Sequence, residues 1–347
     1  MIIKFFTDKH IHVDKKIIVL LLFFVFITLF LNKIYFKNNI DAKSTIQTIQ
    51  LPQLYVDKNQ IKRSDTKAII QFKGVSTMTF VYYNYDINQL ITILDKVKLW
   101  KINLLGIFIN PDNLIGQEKK LDQVINWAEK NHIYVYLMPA INIHDKNKSE
   151  MEQVDDFPKM MEILASKYAN KKNVIYGLWA EPRYLIWPQW KFMAQNIVDR
   201  IIMNNPNAVI LLTGIQFGRY FDTKDNDFGT KNIIYDFHDY PAPSKRELEP
   251  LLKYKSDFLW SSFTDKYPVL IGEFGGTYLK DFSSKEDLQY ISKVLTNINK
   301  NKLSYTAYTI DEEGGLGLID WSTGLPTVKG KIIKDNLLKY PPTNFNK

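Results

Sequence analysis

The chain has 347 residues, 46% of them hydrophobic, which suits one large core with an appendage better than two ordinary domains. It has no cysteine, which excludes disulfides, thiolate nucleophiles and cysteine-based zinc sites. The net charge of +8 comes without an arginine-rich tract or an aromatic–basic platform, so a solvated lysine-rich surface is expected and no nucleic-acid partner.

Residues 1–16 read as a short N-terminal tail. The run IIVLLLFFVFITLFL follows at 17–31, uncharged and with Thr28 its one polar residue; with Ile34, Tyr35 and Phe36 it reaches the length a bilayer requires. A cleaved signal peptide is the competing reading, but cleavage wants small residues just past the apolar run, and the first alanine is Ala42. An uncleaved single-pass membrane anchor at 17–36 is therefore expected, with the lipid bilayer as partner. The flanking lysines lean toward an extracytoplasmic C-terminal domain. Residues 37–64, polar and containing Pro52, read as a linker, and 65–340 as one domain.

Within that domain, short apolar runs alternate with amphipathic stretches. The expected strands are 68–75, 102–109, 133–140, 173–180, 208–214, 232–239, 268–274 and 304–310; helical spacing appears at 87–100, 121–130, 158–168, 189–203 and 285–298. Eight strands in β–α alternation predict a closed parallel barrel of the α/β class. No glycine-rich phosphate turn follows the first strand, as an open doubly wound sheet would usually show.

Two of these strands end in a carboxylate. VIYGLWAEP delivers Glu181 at the tip of strand four, and PVLIGEFGG delivers Glu273 on strand seven. The C-terminal ends of barrel strands face the active site, and two carboxylates there are the minimum equipment for cleaving a glycosidic bond. A retaining mechanism needs them about 5 Å apart, one as nucleophile and one as proton donor. Pro182 holds Glu181 in an extended exit from its strand. Gly272, Gly275 and Gly276 around Glu273 are expected to let substrate approach the backbone. Sugars stack on aromatic rings, so Trp179, Tyr184 and Trp187 beside Glu181 are candidate substrate contacts, with Trp260, Tyr278 and Trp321 as further ones. His144, after strand three, lies at the same rim. Asp311, Glu312 and Glu313 read as a solvated acidic loop. No His or carboxylate spacing suggests a catalytic metal, and no cofactor is expected.

WAEP resembles the Asn-Glu-Pro signature of glycoside hydrolase family 5, IGEFGG its nucleophile strand, YDFHDYPAP its sixth-strand His-x-Tyr motif, and GLGLIDWSTGLPT its closing loop. The resemblance runs from residue 68 to about 335 in the family's order. It implies an acid/base at Glu181, a nucleophile at Glu273, His238 near the leaving-group side and Tyr240 close to the nucleophile. The chain departs from the pattern at three points. Ala180 replaces the asparagine before the acid/base, Gly106 stands where strand two usually ends in arginine, and Tyr308 or Thr309 where strand eight presents tryptophan. The resemblance thus implies a retaining hydrolase of a β-linked polysaccharide: a glucan, a mannan or an envelope polymer. A catalytically silent glycan-binding barrel and a transglycosidase are the alternatives.

Overall fold

The computed structural model describes residues 51–82, 84–141, 148–240, 260, 263–276, 285–312 and 314–342. The expected anchor at 17–36, His144, Tyr278 and Glu313 lie outside them. Among the described residues no helix is long and apolar enough to cross a membrane.

Eight parallel strands close into a barrel, each hydrogen-bonded to its neighbours in sequence and the last to the first. They are, in order, Lys73–Phe80, Leu104–Ile109, Tyr134–Pro139, Val174–Gly177, Ile210–Thr213, Ile233–Asp239, Val269–Phe274 and Ser304–Ala307. Strand one starts later than expected. The apolar residues before it serve another element: Ile69 bridges to Lys62, and the Ile70 N–H donates to the Ile61 carbonyl. Beyond Val75 the strand carries Ser76, Thr77 and Thr79, polar yet buried, which the apolar pattern before them did not signal.

Part of the stretch read as linker is structured. Leu54–Asp57 and Gln60–Arg63 form an antiparallel hairpin whose Leu51, Leu54 and Ile61 pack into the barrel's interior cluster. The Tyr134 hydroxyl donates to the Pro52 carbonyl at 2.6 Å. This hairpin closes the N-terminal end of the barrel.

Alternation along the strands sorts side chains into two layers. Leu104, Phe108, Tyr134, Tyr136, Met138, Leu211, Ile234 and Leu270 fill the interior. Leu105, Ile107, Val135, Leu137, Tyr176, Ile210 and Ile271 face the helices. The helices Ile87–Lys98, Glu118–Lys130, Phe157–Lys167, Trp187–Asn204, Lys285–Lys300 and Val328–Lys339 surround the strands, and the first is capped by Asp86, whose carboxylate accepts from the Asn88 and Gln89 N–H groups. Interior packing fills the barrel below and leaves its C-terminal rim to carry chemistry.

Candidate active site

Glu181, His238 and Glu273 meet at that rim. Glu181 lies four residues past the end of strand four, on a segment pinned by the Ala180 N–H donating to the Pro139 carbonyl. His238 Nδ1 lies 3.1 Å from Glu181 Oε1 and 3.6 Å from Glu273 Oε2. One oxygen of each glutamate and one nitrogen of the histidine all fall within 4.8 Å of one another. The Tyr240 hydroxyl donates to Glu273 Oε2 at 3.0 Å. Arg183 Nη2 donates to Glu181 Oε2 at 3.4 Å. Met78, Tyr82, Phe108, Ala140 and Tyr308 line the pocket together with the two glutamates.

The other ring nitrogen of His238, Nε2, lies 3.2 Å from Asp236 Oδ2, which also accepts from Thr213 Oγ1 at 2.7 Å. Asp236 is 1% exposed and His238 4%. This explains Gly272 differently from the expected close approach of substrate. A Cβ on Gly272 would stand 1.9 Å from Asp236 Oδ1, so glycine is required to admit the aspartate. Gly106 has a similar explanation. A Cβ there would lie 2.2 Å from the Tyr136 hydroxyl, so the room the family resemblance reserves for arginine is taken by the Tyr136 ring. That hydroxyl is hydrogen-bonded to the Gly272 carbonyl and Thr306 Oγ1.

Charge is unevenly spread over the pair. Burial, aided by the charges of Glu181 and Asp236, pushes the Glu273 carboxyl up to about 8; His238 and the Tyr240 hydroxyl oppose this. Burial would raise Glu181 too, but the hydrogen bond and charge of His238, with Arg183 and Arg219, bring it below the ordinary carboxylate value. Burial works against charge on His238, yet the carboxylates of Glu273, Asp236 and Glu181 raise it well above the usual imidazole value. These shifts favour an imidazolium set between an ionised Glu181 and a protonated Glu273 near neutral pH. The same three side chains present a donor set that a divalent cation could use, and their charges already balance largely among themselves.

Of the expected site residues, Glu181, Glu273, His238 and Tyr240 come together. Tyr184 is 78% exposed at the rim, its ring edge-on to Phe217 at 6.3 Å. Trp179 and Trp187 do not present free faces to the cleft. Trp179, at the pocket wall, is 1% exposed and packs edge-on against Phe157 and Trp190. Ile175 faces the interior and Tyr176 the outer layer, so strict alternation would turn Trp179 inward; the strand ends at Gly177, and beyond it Trp179 joins Leu178 in the outer layer while Ala180 faces the interior. Trp187 is buried against Tyr220 and Phe221, its Nε1–H donating to the Asp225 carbonyl. Trp260 is buried and donates to Asp239, and Trp321 is buried and stacked on Tyr85 at 3.8 Å. Tyr308 lines the pocket where the resemblance places tryptophan. Asp311 is fully buried and not solvated: it accepts from the Met78 N–H and from the hydroxyls of Thr77, Thr79 and Thr309. It therefore ties strand one to the end of strand eight.

Three contributors were not anticipated. Asp236 is a charged residue inside an apolar strand, two positions before His238 and so on the same face, a signal available in the sequence. Glu150, nearly buried, accepts from the Arg183 and Tyr184 N–H groups and braces the loop that carries Glu181. Arg183 lies against the Phe217 ring at 5.3 Å while reaching Glu181. Nothing local links Glu150 to residues 183–184.

Residues 62–314 match the sequence profile of the cellulase family, glycosyl hydrolase family 5. Endoglucanase E-5 of Thermobifida fusca is 23% identical over 266 residues, covering 72% of this chain and 54% of that protein. Endoglucanase CelA of Streptomyces lividans is 22% identical over 293 residues, covering 77% and 60%. The chain thus spans little more than half the length of these curated relatives. Among solved structures, a β-glucanase from Saccharophagus degradans has a TM-score of 0.67 at 19% identity, covering 85% of this chain and 96% of that one. The catalytic domain of a Thermobifida fusca endoglucanase has 0.65 at 19%, covering 83% and 97%. These structural likenesses speak for the fold.

Proposed function

The chain belongs to glycoside hydrolase family 5, and from that premise we propose that it is a retaining hydrolase of β-linked glucan. The observation that carries the proposal is the pair Glu181 and Glu273, delivered by strands four and seven with an oxygen of each within 4.8 Å of the other. That spacing suits direct attack by a carboxylate and leaves no room for the intervening water of an inverting enzyme.

Glu273 attacks the anomeric carbon, its Oε2 aligned by the Tyr240 hydroxyl. Glu181 protonates the departing glycosidic oxygen, then takes a proton from the water that releases the glycosyl–enzyme ester. The resting proton must therefore move from Glu273 to Glu181 before attack. Tyr308 and Tyr82 line the pocket and supply ring surface for sugar C–H faces. The curated relatives are named endoglucanases, and the Saccharophagus degradans β-glucanase has been solved with cellotetraose. These favour a glucan over a mannan or an envelope polymer. The proposal keeps residues 17–36 as a bilayer anchor that places the barrel outside the cytoplasm; protease protection of the barrel in sealed vesicles tests it.

A second reading, a barrel that binds glycan without cleaving it, is favoured by one feature: burial pushes the carboxyl of the intended nucleophile up to about 8, which disfavours its ionised form at neutral pH. Intact-mass analysis after exposure to 2-fluoro glycosides of gluco and manno configuration separates the two. A sugar-sized gain mapped to Glu273 and lost in Glu273→Gln supports the hydrolase and names the sugar. Saturable glucan binding with no adduct and no new reducing ends supports the silent binder.

A further inference from the structure

We propose that Asp236 is a positioning residue: it holds the Nε2–H of His238, so that the ring trades protons through Nδ1 alone, with Glu181 on one side and Glu273 on the other. The inference rests on the reading of those glutamates as the reacting pair.

The geometry is specific. Asp236 and His238 are two residues apart on strand six and share its inward face. Asp236 Oδ2 lies 3.2 Å from Nε2, leaving Nδ1 turned to the two glutamates at 3.1 and 3.6 Å. Among the described residues, the one cation in ion-pair contact with Asp236 is His238. Among those same residues, the other oxygen, Oδ1, is buried with no hydrogen-bond partner. A buried carboxylate left half satisfied is costly, and such costs are retained where they serve a function. Here the ring receives a fixed tautomer and a counter-charge.

The other charged or titratable groups around the ring are Tyr240 from its own strand's exit, Arg219 from the loop after strand five, Arg183 beside Glu181, and Tyr136 from strand three on the Asp236 side. Arg219 is engaged with the Tyr240 carbonyl and Arg183 with Glu181, which leaves His238 as the link between the glutamates. The transfer balances: Nδ1–H passes to Glu181 Oε1, and Nδ1 then takes the proton of Glu273 Oε2. Glu181 gains one proton, Glu273 loses one, and the imidazolium is restored.

The test is Asp236→Asn in the full-length chain, read by ¹⁵N NMR of the labelled histidines, with the His238 signal assigned by its loss in His238→Gln. The expected wild-type ring stays charged, with both nitrogens protonated, at pH values well above the ordinary imidazole range. In Asp236→Asn it titrates near or below the ordinary imidazole range, kcat on glucan falls about a hundredfold with little change in KM, and the pH profile of kcat/KM shifts. Thr213→Val, which removes the other donor to Asp236 but keeps its charge, leaves the ring charged. A wild-type His238 that titrates at the ordinary value, or an Asp236→Asn spectrum like the wild type, overturns the proposal. So does a Thr213→Val variant that reproduces the Asp236→Asn spectrum, because packing would then explain both. If the spectra behave as expected but the wild type cleaves no glucan, the hydrolase reading falls and the coupling of Asp236 to His238 stands.

Discussion

His238 and Glu273 stand opposite each other on strands six and seven, and an irregularity in the ladder puts them there. Asp236 pairs with Leu270 and Phe237 with Ile271, but His238 pairs with Glu273, skipping Gly272. Leu270 packs in the barrel interior and Ile271 in the outer layer. Strict alternation would turn Gly272 inward and Glu273 outward, because one residue of shift reverses every side chain. The bulge spends its extra residue on Gly272, whose missing side chain is replaced by the Asp236 carboxylate, and Glu273 turns to the pocket while Phe274 returns to the outer layer.

The pH dependence follows from Glu273. Attack needs its ionised form, and its carboxyl is pushed up to about 8. The proton that Glu181 must deliver is the one Glu273 holds at rest, so above about 8 the pair has lost its general acid, and kcat/KM on glucan is expected to fall as pH rises through about 8. A profile that climbs through pH 7 to a plateau above about 8 would contradict this.

Stability carries the same sign. A carboxyl raised on folding contributes stability in full below its ordinary value of 4.5 and loses it as pH rises toward about 8. His238, raised above 6.5, acts in the same sense, its contribution whole below that value and lost as pH passes its folded value. Glu181, lowered from 4.5, acts oppositely and loses its contribution on acidification. Glu273→Gln cannot ionise. Its melting temperature relative to wild type should be higher at pH 8.5 than at pH 5, measured by scanning calorimetry; an equal difference at both would count against the assignment.

Ala180 removes a hydrogen-bond donor beside the acid/base. Ala180→Asn is expected to raise kcat on glucan, by up to about a hundredfold, since one donor to the developing transition state is worth that much. Initial rates across a glucan series measure it. No gain would mean that another side chain already makes this contact.

Glu150 holds the loop that positions Glu181. Glu150→Ala frees the Arg183 and Tyr184 N–H groups. Loss of alignment should lower kcat about tenfold or more, with a smaller change in thermal stability. A variant with full kcat would show that Pro182 and Arg183 suffice to fix Glu181.

Asp311→Ala leaves the Met78 N–H without its buried acceptor, and leaves the Thr77 and Thr309 hydroxyls only Thr79 Oγ1 and the Ser76 carbonyl in place of the carboxylate. Each orphaned group costs about 1–3 kcal/mol, so urea unfolding should show a loss of more than about 2 kcal/mol. A loss within error would mean that these hydroxyls re-pair with one another.

The sequence by itself determined the barrel and the strands that carry Glu181 and Glu273, and these are written in local periodicity: short apolar runs, helical stripes between them, and a carboxylate at the end of a run. The place of His238 and Tyr240 near the pair came from the resemblance of YDFHDYPAP to the family motif. Tertiary structure decided what periodicity cannot hold. Barrel closure brought Asp311 against Thr77 and Thr79, so an acidic stretch that looked solvated became a buried clasp. Layering turned Trp179 into the core and left Tyr184 at the rim, although both are aromatic residues within a few positions of Glu181. The bulge at Gly272 set the inward turn of Glu273, because the side a strand residue faces depends on register with its neighbour and not on its own sequence.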